Sequence, residues 1–312
     1  MKRALLILLA ALAAFAFYLW WGLPARSEVR ALAQKNPGRT AVMLQREGEA
    51  KAARQKPGHS QAWVPLSRVS RNVIHAVLSS EDQKFFGHEG VDWDAVRESV
   101  EANRKAGRFA RGGSTLTQQL AKNLYFSTHK SLVRKARELL VSRWLEQDLT
   151  KARILELYLN VIEWGDGVYG CEAAARRYYG KSCAALDETE AAGLAAMIPN
   201  PRRINPGVNA ARHARAQRRV LWLMAHAGYL KNTRLGSEPP PPPEPVEEDE
   251  PLPVEPIPAE PEAVATPPAE PVPTEPSPPV EPSVPPSAEP EATPTATPPP
   301  TEAPPDEGAV LR

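Results

Sequence analysis

Between residues 65 and 231 the apolar positions recur every three or four residues, the period of helices with one buried face. Ile74, Val77 and Leu78 form such a stripe, and Glu81 occupies the next position on it. In "GGSTLTQQLAKNLYF" (residues 112–126) Leu116, Leu120 and Leu124 predict a core face. Ser114, Gln118 and Lys122 repeat on roughly the opposite side, with Thr115, Gln119 and Asn123 beside them. "KSLVRKARELLVSRWLEQ" places Leu132, Ala136, Leu139, Leu140 and Trp144 on one side. "TKARILELYLNVI" predicts a helix capped by Thr150, with Ile154, Leu155, Tyr158 and Leu159 turned inward. "DETEAAGLAAMIPNP" opens with a capping box, Asp187 to Glu190, and stops before Pro199. No alternating run is long enough for a large sheet, so a mainly α domain is expected over residues 65–236.

The two ends of the chain follow other patterns. Ala4 to Ala25 carries no charge, and a helix of that length spans roughly 33 Å, enough for a bilayer core. Tyr18, Trp20 and Trp21 stand where an aromatic belt would lie, and Lys2 and Arg3 would hold the N-terminus in the cytoplasm. Ala-x-Ala patterns at Ala11–Ala13 and Ala14–Ala16 interrupt the apolar run rather than follow it. That placement favours an uncleaved anchor, residues 1–25, over a cleaved signal peptide. Residues 26–64 read as a polar lead-in. Residues 237–312 hold 28 of the 35 prolines and almost no aromatic side chains. Such a composition cannot offset ordering entropy, so an unstructured tail with polyproline II character is expected.

Charge is divided along the same lines. The tail carries 17 acidic residues and one basic one, leaving residues 1–236 with 37 basic against 20 acidic side chains, a net +17. A basic domain suggests an anionic partner, and a place outside the membrane argues against nucleic acid. On this background Glu81 stands out, because burial raises a carboxyl's pKa toward the range of a general acid or base. A helix end that simply reaches solvent explains the position as well. Gly112 and Gly113 read as the opening of a helix, whose free N–H groups would make an anion site. In "RKARE" (residues 134–138) Arg134 and Lys135 lie one turn from Glu138, a pattern that ordinary helix ion pairs also produce.

Taken together, "EDQKFFGHEG", "GGSTLTQQLAKN", "RKARE", "ILELYLNVIEWGDGVYG" and "EAAGLAAMIPNP" occur here in the order found in the biosynthetic peptidoglycan glycosyltransferases. The chain resembles the monofunctional, membrane-anchored branch of that family over about residues 65–230. The resemblance implies a lysozyme-like, two-lobed helical fold. It also implies polymerisation of lipid II onto the growing glycan strand on the periplasmic side of the inner membrane, from a single-pass anchor, beside other cell-wall synthesis partners. Glu81 matches the catalytic glutamate and would be general base toward the acceptor's 4-hydroxyl. Glu138 matches a second catalytic glutamate. Lys122, Lys130, Arg134, Lys135 and Arg137 would face the pyrophosphate, while Ser114, Gln118 and Asn123 would position sugar and phosphate. No tightly bound cofactor is implied; a magnesium or manganese ion on the substrate pyrophosphate, held by Glu138, is the one metal considered.

Two competing functions share these features. A lytic peptidoglycan-cleaving enzyme would also use a helix-borne glutamate, but it does not require the Lys122/Arg134/Lys135 set. A non-catalytic wall scaffold would tolerate loss of Glu81. Two local features remain open. The glycine- and cation-rich run from about Asn103 to Arg111 reads as a mobile segment over the site. Cys171 and Cys183 could pair, since a helix from about Glu172 to Tyr179 followed by a short extended return would bring them back together.

Overall fold

The computed structural model describes residues 2–107 and 112–230. The tail expected at 237–312, and residues 108–111 of the run expected to be mobile, lie outside them. The first half of that run instead belongs to a regular helix, which ends at Ala106 with Gly107 in the left-handed region at φ 62°. Glycine suits that stop because it has no Cβ to clash there.

The described residues include eleven α-helices, three short 3-10 turns and three short strands. Helix α1 (Lys2–Trp21) has no buried residue and is long and apolar enough to cross a membrane. Pro24 separates it from α2 (Arg26–Ala31), which lies against α7 (Leu132–Asp148). Arg26 ties the two together: its Nε donates to Asp148 Oδ2 at 2.7 Å and its guanidinium sits 5.2 Å from the Trp144 ring. Helix α3 (Ala41–Ala52) is capped by Thr40 and packs on α6 (Leu116–Tyr125) with Val42 and Met43 buried. The stretch expected as a polar lead-in therefore contributes two packed helices.

The core is built around α4 (Arg71–Glu81), α6 and α8 (Lys151–Val161), with α10 (Glu188–Ala195) and α11 (Ala210–His226) closing over α4. Val73, Ala76 and Val77 of α4 are fully buried or nearly so, as are Leu116 and Leu120 of α6 and Ile154, Leu155, Tyr158 and Leu159 of α8. The caps read from sequence are present. Thr150 Oγ1 accepts from Arg153 N at 3.2 Å, and Asp187 and Glu190 exchange bonds of 2.9 and 3.1 Å. Helix α5 (Trp93–Ala106) starts at Asp92, whose carboxylate accepts from Asp94 N and Ala95 N.

The sheet is small. Strand β1 (Ser60–Gln61) pairs in parallel with β3 (Val168–Tyr169), which pairs antiparallel with β2 (Glu163–Gly165). The glycine turn between β2 and α9 (Cys171–Tyr179) is structural: Gly170 sits at φ 81°, and a Cβ there would come within 2.8 Å of Asn160 O.

Two expectations are corrected. Helix α7 does not bury Leu132 and Leu140, which are 90% and 43% exposed; it buries Glu138, Val141, Ser142 and Leu145. Its inward face is half polar, so the apolar pattern misplaced it. Helix α6 begins at Leu116 with Thr115 as its cap, not at Gly112 and Gly113. Gln118 and Asn123 on its polar side are buried, as is Thr117.

Candidate active site

Glu81 is the last residue of α4, and its carboxyl group is packed in protein although the residue keeps one partly open face. Burial is the main influence on it and pushes its pKa up, assisted by the nearby Asp82 carboxylate. Two groups act in the other direction, a hydrogen bond from Gln119 and the charge of Lys122. Gln119 Nε2 donates to Glu81 Oε2 at 2.9 Å, and Gln119 Oε1 accepts from the buried Tyr158 hydroxyl at 2.9 Å. Tyr158 therefore fixes which way the amide of Gln119 points, and the amide presents N–H to the carboxylate. The result is a carboxylate held in one orientation with a raised affinity for protons, as a general base requires.

Asp82 supports the same end of α4. Its Oδ2 accepts from Leu116 N, the first amide of α6, at 3.0 Å, and both oxygens lie 3.0–3.1 Å from His88 Nε2. His88 Nδ1 accepts from Gly90 N at 3.1 Å, so the ring proton sits on Nε2 and is donated to Asp82. The expected anion site at the start of this helix is thus filled by the protein's own carboxylate. Phe85 is fully buried, 4.5 Å from Lys151 Nζ, which also donates to Glu146 Oε1 at 2.8 Å. Thr117 Oγ1 donates to the same oxygen at 2.6 Å and locks α6 to α7.

A second cluster lies where α6 meets α7. Lys135 Nζ donates to Ser114 Oγ at 2.7 Å and to Gln118 Oε1 at 2.6 Å, and it lies 3.4 Å from Glu138 Oε2. The other Glu138 oxygen is paired with Arg134, whose Nε donates to His129 O at 2.6 Å. Gln118 Nε2 and Thr115 Oγ1 both donate to Gly90 O, at 3.1 and 2.7 Å. Gln118 and Glu138 are therefore each held by a second partner, Gly90 O and Arg134. The Lys135 pKa is lowered, first by burial and then by repulsion from Arg134 and Lys122, while Glu138 opposes the shift. A cation in this state is stabilised by an incoming anion. The charge of Lys122 bears on both Glu81 and Lys135, and the adjacent Gln118 and Gln119 of α6 join the two clusters, one bonded to Lys135 and the other to Glu81.

A family model described as Transglycosylase matches residues 48–225. The chain belongs to the transglycosylase family. It is 43% identical over 220 residues to the biosynthetic peptidoglycan transglycosylase of Aromatoleum aromaticum, a match covering 68% of this chain and 91% of that protein. The same-named protein of Chromobacterium violaceum is 42% identical over 227 residues, 72% of this chain and 98% of its own. That of Dechloromonas aromatica is 48% identical over 167 residues, 54% and 72%. The protein is a peptidoglycan glycosyltransferase.

Within this transglycosylase the sequence candidates separate. Ser114, Gln118, Arg134, Lys135 and Glu138 form one bonded cluster, Glu81 is bonded to Gln119 of the same helix α6, and the charge of Lys122 bears on both Glu81 and Lys135. Asn123 is buried, and its amide donates to Gln119 O at 2.8 Å, bracing the helix. Lys130 is exposed in the turn before α7. Arg137 points elsewhere: it donates to the carbonyls of Leu19 and Tyr18, at 3.1 and 2.6 Å, at the end of α1. Both Glu138 oxygens face cations, one Arg134 and the other Lys135. Among the described residues there is no cluster of three or more His, Cys, Asp or Glu side chains fit to hold a metal.

Sequence reading missed Gln119 as the partner of Glu81, Tyr158 as the orienter of Gln119, and Asp82 with His88. The two adjacent glutamines, unusual on a helix face that meets only water, are the available signal. A cleft of about 840 Å³ lined by His88, Trp93, Leu139, Leu140 and Arg143 lies beside this network, but none of Glu81, Lys122 and Lys135 lines it.

Proposed function

We propose that this glycosyltransferase polymerises lipid II, with Glu81 as general base and the Arg134–Lys135–Lys122 cations as the pyrophosphate site. Glu81 takes the proton from the 4-hydroxyl of the acceptor's N-acetylglucosamine. That oxygen forms a bond to C1 of the N-acetylmuramic acid at the end of the growing strand. The C1–O bond to undecaprenyl pyrophosphate breaks, and the α linkage is replaced by a β linkage. Charge develops on the leaving pyrophosphate, where preorganised cations are most effective. Glu138 holds Arg134 and Lys135 in place from below, and Ser114 and Gln118 aim the Lys135 ammonium. Lys130 meets substrate at the rim. The exposed apolar helix α1 serves as a single-pass anchor, and Lys2 and Arg3 place the catalytic domain on the periplasmic side.

The observation that supports this reading is the pairing, across the adjacent Gln118 and Gln119 of α6, of a Glu81 carboxyl oriented by Gln119 with a Lys135 ammonium held by Ser114, Gln118 and Glu138. A base and a cation cluster joined through one helix suit a sugar hydroxyl and a phosphate leaving group, and a neutral glycosidic leaving group would not use the cations. Incubation of the purified protein with lipid II tests it. The expected products are glycan polymer and undecaprenyl pyrophosphate; unchanged lipid II with an otherwise folded protein would refute it.

A further inference from the structure

Cys171 opens α9, and Cys183 opens the short 3-10 turn Cys183–Ala185 that follows it. The nine-residue helix carries the chain away by roughly 13 Å. Gly180, left-handed at φ 67°, then reverses it, and the strand-like step through Ser182 brings it back. Glu172 fixes the return: its Oε2 accepts from Cys183 N at 2.8 Å, so the backbone of one cysteine is held to the neighbour of the other. Both cysteines are unbridged thiols in this structure and are fully buried in the same apolar core.

We infer that Cys171 and Cys183 form a disulfide that staples α9 to the following turn in the mature protein. This rests on the extracytoplasmic placement proposed above, because only an oxidising compartment keeps such a bond. The bond forms by exchange with a small-molecule or protein disulfide. One protein thiolate attacks a sulfur of that disulfide and expels a thiol. The second protein thiolate then attacks the mixed disulfide and expels the other thiol. The protein pair is oxidised, the reagent disulfide is reduced to two thiols, and the two protein protons leave on them. Burial and the neighbouring thiol both push the Cys171 pKa well up in the folded state, so its thiolate is scarce there. Exchange therefore belongs to the folding chain, before the core closes, and the finished bond resists mild reductants until the protein unfolds. That makes it a structural staple and not a switch.

The test uses the full-length protein exported to its native membrane, and the same protein unfolded, reduced and refolded with glutathione disulfide. Each sample is unfolded without reductant and treated with a thiol alkylator. The expected result is no alkylation of either cysteine in both samples, and alkylation of both after reduction. Reduced and bridged forms should differ in melting temperature by roughly 6–12 °C, the effect of closing a loop of this length in a domain of this size. The Cys171→Ala/Cys183→Ala variant should melt at the lower temperature whatever the redox conditions. Two alkylated cysteines in both samples would overturn the pairing. A bridge after refolding, with free thiols in the exported protein, would uphold the pairing geometry and overturn the oxidising location.

Discussion

Replacing Gln119 with leucine probes the base without touching it. The substitution removes the 2.9 Å hydrogen bond to Glu81 Oε2 and leaves the Tyr158 hydroxyl without its acceptor. A hydrogen bond to an ionised group contributes about 1.5–3 kcal/mol. Gln119 favours the charged form of Glu81, so its loss raises the Glu81 pKa further. Glu81 must be ionised to accept a proton, so activity rises with pH through its pKa. The acidic limb of the kcat/KM profile should therefore move to higher pH in Gln119→Leu. At a pH on that limb the rate should fall roughly 10- to 100-fold, the hydrogen-bond energy converted at 1.36 kcal/mol per decade. The plateau at alkaline pH should be much less affected. The stranded Tyr158 hydroxyl should cost about 1–3 kcal/mol of stability, readable from denaturant midpoints and small beside a typical total of roughly 5–15 kcal/mol. Tyr158→Phe is the graded companion: it removes the group that orients the amide but keeps the amide itself, so it should move the limb in the same direction by less. The assay is initial-rate lipid II polymerisation across pH, with both variants checked for native circular dichroism. An acidic limb unmoved in a folded Gln119→Leu protein would refute the assignment of Glu81 as the base tuned by Gln119.

Other outcomes follow from the same geometry. Because the folded-state pKa of Glu81 is raised, the folded protein is penalised by its charge above that pKa and not below the unfolded value of about 4.3. Glu81→Gln should thus be more stable than the parent at pH 8 and indistinguishable from it near pH 4, by denaturant titration at both. Lys135→Met should lower lipid II polymerisation by ~10²–10³, the loss typical of one preorganised electrostatic group, with partial recovery in Lys135→Arg. Arg137→Ala should fall far short of that loss in the same assay, because its guanidinium serves the end of α1. Truncation after Ser237 should leave polymerisation intact, measured on lipid II in detergent, because relatives matched over 91% and 98% of their own length align to no more than 72% of this chain.

How much was legible depended on whether burial coincided with apolarity. Helix α8 was read correctly because Ile154, Leu155, Tyr158 and Leu159 form an unbroken inward stripe. Helix α7 was not, because its inward face includes Glu138 and Ser142. Burying Glu138 is tolerable only with Arg134 and Lys135 on it, and those partners look identical to surface helix pairs in sequence. Helix α6 was half legible. Its leucine row was clear, but it is surrounded, and its polar row is buried against Gly90, Glu146 and Lys135. The start of α6 was misread because Gly112 and Gly113 drew attention from Thr115, the residue able to cap it. Arg137 could not be separated from Arg134 by sequence: one helical step from Glu138 turns a side chain by roughly 100°, enough to send it to α1 instead of the cation cluster.

The most direct test of the central claim is lipid II polymerisation by Glu81→Gln beside the parent, at equal concentration and with folding verified. Glutamine keeps the shape of Glu81 but cannot take the acceptor's proton. General-base assistance typically contributes ~10²–10⁴ in rate, so the variant should bind lipid II yet produce polymer at least about a hundredfold more slowly at every pH. Polymer formed at the parental rate by a folded Glu81→Gln protein would contradict the account.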